Sequence, residues 1–185
     1  LERLRAQLNE AHGATRGRLT VLPFLVRAIV LAAPTFPQMN ARYDDEKGVV
    51  IRHSAVHIGI ATQTADGLMV PVVRHAEALD PWAAAAELAR LAEAARTRKA
   101  TREELSGSTI TITSLGALGG IVSTPILNAP EVAIIGVNRI VERPVLHAGG
   151  IAICVDSEPK GTPSDSVIKR GEPPRQRSWM ARSRL

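Results

Sequence analysis

The apolar positions of this chain change period along its length, and each change marks an element. In the stretch Ser106 to Arg139 the alternation is at first strict: Ile110 and Ile112 fall on one side, Thr109, Thr111 and Thr113 on the other. A period of two predicts a half-buried β-strand. Gly116, Gly119 and Gly120 follow, opening backbone geometries that a Cβ would forbid. A loop with Thr124-Pro125 and Asn128-Ala129-Pro130 leads into a continuous apolar run, Val132 to Val137. Such a run is expected of a strand buried on both faces. A hydroxyl at a strand's end beside a glycine-rich turn has the two properties that an oxyanion site needs, rigidity and nearby backbone.

Upstream, Leu1, Leu4 and Leu8 recur at helical spacing and predict an amphipathic helix to His12, with a loop over Gly13 to Arg18. Thr20 is placed to cap a second helix, Val21 to Ala33, whose apolar residues nearly encircle it and predict an internal position. Pro23 is tolerable in its first turn, and Pro34 and Pro37 end it. Tyr43 to Gly48 reads as a polar turn before a short strand, Val49 to Arg52. Val56, Ile58 and Ile60 alternate with His57, Gly59 and Ala61, then turn at Ala65-Asp66-Gly67 and return through Leu68 to Arg74, a hairpin. Asp80-Pro81 starts a third helix, running to Lys99 with Leu88 and Leu91 inward and Glu87, Arg90, Glu93 and Arg96 outward. Thr101 and Glu104 have the spacing of a capping box, and Gly150 to Val155 reads as a last strand. Without a regular βαβ rhythm, the order predicts an α+β fold: a mixed or largely antiparallel sheet with helices on one face.

Composition sharpens this in three places. With 45% apolar residues but only 3% aromatic, the core must be built from Ala, Val, Ile and Leu. The formal charge of +5 is uneven: beyond Asp156, seven basic side chains stand against three acidic ones, which accounts for +4 of it. No nucleic-acid motif or interleaved aromatic accompanies those charges, so residues 156–185 read as a divergent, disordered basic tail on a domain of residues 1–155. Cys154 has no partner for an internal disulfide and reads as a small buried hydrophobe. No apolar run approaches the ~18 residues of a membrane span and no secretory signal is evident, so a cytoplasmic location is expected. Of the histidines, His57 and His147 read as structural or solvated. His53 and His57 are four apart but placed too widely for a metal.

The run TITSLGALGG, continued by STPILNAPEVAIIGV, resembles the catalytic core of the acyltransferase (E2) component of 2-oxo acid dehydrogenase complexes, branched-chain-like, over about Leu1 to Val155. The resemblance implies a chloramphenicol-acetyltransferase-like mixed sheet, C-terminally incomplete, that moves an acyl group between lipoyl-lysine and coenzyme A. It implies that Thr113 supplies the oxyanion hydroxyl, a role worth ~100- to 1000-fold in rate. It implies coenzyme A contacts at Arg5, Thr20 and Ser114 and at the backbone of Asn138 and Ile140. Gln63 stands where branched-chain relatives often carry an acid. Implied partners are a lipoyl domain, the E1 and E3 components, and two further copies in a trimer whose active sites lie between subunits. Lipoyl and subunit-binding parts are not visible, so the chain reads as a piece beginning inside the catalytic domain. The family's His-Arg-x-x-Asp-Gly run, which carries the base, is absent, and TPSDSVIKR (162–170) stands near its expected place. The expectation is an acyltransferase of impaired activity, with a non-catalytic remnant that keeps only fold or coenzyme A binding as the alternative.

Overall fold

A computed structural model describes residues 1–114, 125–137, 141–147 and 150–156, the last two segments as backbone. Helices α1 (Glu2–Arg16) and α2 (Leu22–Ala32) come first, then the hairpin β1 (Ala41–Asp44) and β2 (Val49–Arg52). β3 (Ile58–Thr64), β4 (Gly67–Met69) and β5 (Val72–Val73) precede α3 (Pro81–Arg96). β6 (Ile110–Ser114), β7 (Ile134–Val137), β8 (Val141–His147) and β9 (Gly150–Asp156) complete the order. The main sheet runs β4-β3-β6-β7, with β5 also on β3. β3 pairs antiparallel with β4 and β5, while β6 lies parallel to both β3 and β7. The sheet is therefore mixed, as expected.

Register decides what each face carries. Ile58 and Ile60 sit opposite Ile110 and Ile112, and Ile112 sits opposite Ile135, so one face is a plate of isoleucines. Val26 and Val30 of α2 and Ala84, Leu88 and Leu91 of α3 close over it as one apolar cluster. Each such valine, leucine or isoleucine side chain, fully buried, contributes about 1.5–3 kcal/mol. The start of α3 follows from its sequence: Asp80 Oδ1 accepts from the Trp82 and Ala83 N–H groups at 2.8 and 2.7 Å, with Pro81 in the first turn. Those bonds, led by the one from Ala83, hold the Asp80 carboxyl below its usual range. Thr101 and Glu104 exchange the two bonds of a capping box, at 3.0 and 3.3 Å, on a turn.

Four expectations need correction. α1 continues through Gly13 to Arg16 because nothing nearby opposes a helical glycine, so the loop begins only at Gly17. Thr20 does not cap α2: Val21 holds the cap position with helical dihedrals, and no side chain bonds the helix start. α2 is not internal, since only Pro23, Val26 and Val30 are buried and Leu31 is 62% exposed. β7 is only half-buried, because it has a strand neighbour on one side alone among the described residues. β8 and β9 form an antiparallel hairpin from Val141↔Asp156 to His147↔Gly150, which puts His147 in a strand and Cys154 opposite Arg143. Among the described residues no helix is long and apolar enough to cross a membrane. Residues 157–185, expected to be a disordered tail, lie outside the described residues.

Candidate functional site

The other face of the sheet is polar, and it changes character along β6. Thr109 and Thr111, expected to be exposed on a half-buried strand, are each 1% exposed. The loop before β7 covers them. It brings in Glu131, itself 5% exposed, whose Oε1 accepts from Ser108 Oγ, from Thr111 Oγ1 at 2.9 Å and from Asn128 Nδ2 at 2.9 Å. Glu131 is bridged by backbone to Arg42 of β1, and Glu131 Oε2 and Arg42 Nε are buried without a hydrogen-bond partner. Tyr43 N–H to the Pro130 carbonyl (2.7 Å) adds a second tie between the loop and the β1–β2 hairpin. At the head of β6, Asn40 completes the cover. Its Oδ1 accepts from Thr109 Oγ1 at 2.5 Å, and its Nδ2 donates to the His53 and Ala55 carbonyls.

Two residues further on, burial falls. Thr113 is half-buried, and its partners in register are Ala61 on β3 and Gly136 on β7. Residues paired in register share a face on strands about 4.8 Å apart. In register, Thr113 on the central strand is thus flanked by a methyl group on one side and by a glycine on the other. Gly136 is exposed. Ser114 is the next residue on β6 and is also half-buried.

Arg5 lies elsewhere, bonded to Leu19, the residue before Thr20. Arg5 lies on α1, and its Nη1 donates to the Leu19 carbonyl at 3.4 Å. Asn9 bonds the same residue twice, from Nδ2 to the carbonyl (2.9 Å) and at Oδ1 from the N–H (2.7 Å). Thr20 follows, exposed, and does not line the cleft of about 400 Å³ to which Arg5, Asn9, Glu10 and Arg18 contribute. The Arg5 guanidinium is already engaged by Glu2, with contacts of 2.6 and 3.0 Å to one carboxylate oxygen. Those bonds hold the Glu2 carboxyl below its usual range. An anion arriving at Arg5 would therefore have to displace Glu2. α1 has no buried residue, and its far end is fixed by Arg16, which bonds Asp80 at 2.9 Å and lies 4.0 Å over the Trp82 ring.

Gln63 is exposed on β3, donating to the Thr64 carbonyl at 3.3 Å. Asn138 and Ile140 lie outside the described residues. Sequence reasoning missed Asn40, Ser108, Asn128 and Glu131. The one available signal was a carboxylate set between Pro130 and an apolar run, where an unpaired charge would be costly.

Residues 1–155 match the family described as 2-oxoacid dehydrogenases acyltransferase (catalytic domain). A lipoamide acyltransferase component of the branched-chain alpha-keto acid dehydrogenase complex from Pseudomonas putida is 68% identical over 153 residues, 83% of this chain and 36% of that protein. Its counterpart in Pseudomonas aeruginosa is 67% identical over the same coverage. The chain thus spans 36% of the length of these curated relatives. Among solved structures, the dihydrolipoamide acetyltransferase of Azotobacter vinelandii superposes with a TM-score of 0.79 at 38% identity, covering 83% of this chain and 63% of that one. The chain belongs to the 2-oxoacid dehydrogenase acyltransferase family, matched across its catalytic domain.

Proposed function

We propose that this chain supplies part of the acyl-transfer site of a branched-chain-type lipoamide acyltransferase, moving an acyl group between dihydrolipoyl-lysine and coenzyme A. The observation that carries this reading is Thr113, half-buried at the end of β6 and in register with Ala61 and Gly136, in a chain of this family. In the reaction the coenzyme A sulfur attacks the thioester carbonyl of the acylated lipoyl arm and forms a new C–S bond. Thr113 Oγ–H donates to the resulting oxyanion. The bond to the lipoyl sulfur then breaks, and the proton taken from the incoming thiol by a general base is returned to the leaving sulfur. Arg5, Thr20, Ser114, Asn138 and Ile140 hold the coenzyme, with Arg5 exchanging Glu2 for a phosphate. The working form is a cytoplasmic trimer served by a lipoyl domain and by the E1 and E3 components.

This sequence lacks the His-Arg-x-x-Asp-Gly run that would carry the base. TPSDSVIKR in its place favours a second reading, a remnant that binds coenzyme A without turnover. Purified chain mixed with acyl-CoA and dihydrolipoamide distinguishes the two. We expect calorimetric coenzyme A binding with little thioester formation. Turnover like that of a full acyltransferase core would show that the base has been misplaced. The absence of any binding would remove both readings.

A further inference from the structure

The turn after β5 is fastened to the head of β3 by side chains that the transfer site does not use. His75 sits there in a left-handed conformation, φ 49°, and its N–H donates to His57 Nδ1 at 3.0 Å. The two rings meet edge-on, with centroids 4.7 Å apart. His75 Nδ1 lies 3.1 Å from Glu77 Oε1, and Glu77 Oε2 accepts from the Val56 N–H at 2.9 Å. Burial works against the Glu77 charge, but the Val56 N–H and His75 hold its carboxyl below the usual range. His57 also reaches β6 through its backbone. Its N–H donates to Thr109 Oγ1 at 3.0 Å, and its carbonyl accepts from the Thr109 N–H at 2.7 Å. One residue therefore joins the turn, the head of β3 and the head of β6. Imidazole Nδ1 accepts a hydrogen bond only while it carries no proton; once protonated it becomes a second donor facing the His75 N–H.

We propose that His57 is an acid-sensitive clamp: closed while Nδ1 accepts from the His75 N–H, and opened by protonation, which releases the His75 N–H from the head of β3.

The charged surroundings agree with that direction. Arg74 and His75 on the turn, and His53 on the approach to β3, oppose a proton on His57, while Glu77 favours one. At the β6 head, Thr109, which bonds the His57 backbone, and its neighbour Ser108 carry no charge. Arg74 is held in place by the Glu103 and Ser106 carbonyls, at 2.8 and 3.0 Å. Burial acts first, followed by His75 and Arg74, and together they keep His57 below its ordinary value of 6.5. A base held below its unfolded value binds fewer protons when folded. Its contribution is therefore whole above 6.5 and is lost as the pH falls through the folded value.

Proton NMR of the His57 ring and hydrogen exchange at the His75 amide, both on the full chain, test the clamp. The ring should titrate below 6.5. Corrected for intrinsic exchange, amide opening should rise about tenfold per pH unit below the unfolded value, until the folded value is reached. His57→Asn, whose Oδ1 can accept the same bond without titrating, should abolish that dependence. A His57 ring titrating at or above 6.5, or an Asn variant opening with the same pH profile, would overturn the proposal. The ring titration needs no variant and decides even if the Asn chain fails to fold.

Discussion

Glu131→Ala should cost the folded chain about 3 kcal/mol, while Glu131→Gln should cost less than about 1 kcal/mol. Truncation removes the acceptor shared by Ser108, Thr111 and Asn128 and leaves three donors in a region where Ser108 and Thr111 are almost wholly buried. Each unsatisfied buried donor costs about 1–3 kcal/mol. Loss of the unpartnered Oε2 offsets part of that sum. Glutamine keeps an oxygen where the three donors converge and should preserve most of the stability. For a domain of this size, about 3 kcal/mol lowers the melting temperature by roughly 6–12 °C. Thermal unfolding of the two variants beside the parent is the check. An alanine variant as stable as the parent would mean that the loop is held by something else.

The second large effect lies on the neighbouring strand. A glycine inside a strand is ordinarily a weakness, and replacing it with alanine should stabilise by reducing the freedom of the unfolded chain. At Gly59 the sign reverses. A Cβ there would stand 2.6 Å from Thr111 Oγ1 and 2.8 Å from Val70 Cγ1. Neither is the end of a long side chain, and Thr111 Oγ1 is bonded to Glu131. Overpacking of this kind costs about 1–3 kcal/mol, and Gly59→Ala is expected near the upper end because it also pushes on the Glu131 cluster. Denaturant unfolding should show a lower midpoint with an unchanged slope. A gain in stability would mean that β3 and β6 lie further apart at this position than described.

Much of the frame could be read from local pattern. Asp80-Pro81 announced α3 because a cap and a first-turn proline act within four residues. The alternation of Ile58 and Ile60, and of Ile110 and Ile112, gave the face that meets the helices. It could not show that the threonine face was covered too, because the cover comes from Glu131, twenty residues beyond Thr111. Thr20 had the right chemistry for a cap, but the chain turns into α2 one residue later, at Val21. The apolar girth of α2 suggested an interior helix, yet Leu31 stays exposed in this chain.

The site was less legible than the frame. Thr113 was singled out by resemblance to a family and not by spacing, and its flanking by Ala61 and Gly136 is a matter of register, which no single segment encodes. Arg5 reaches the carbonyl of Leu19, the residue before Thr20, where Asn9 clasps Leu19 across a ten-residue gap. The clamp at His57 was equally hidden, since a histidine beside a strand looks structural until the left-handed His75 is seen to point its N–H at the ring.

The central claim is that the open end of β6 faces a thioester, and titrating the isotopically labelled chain with coenzyme A tests it most directly. The account predicts chemical-shift changes at Thr113, Ser114, Ala61 and Gly136, together with a second group at Arg5 and Thr20. Saturable changes confined to other parts of the chain, with Thr113 and its two in-register neighbours unmoved, would contradict it.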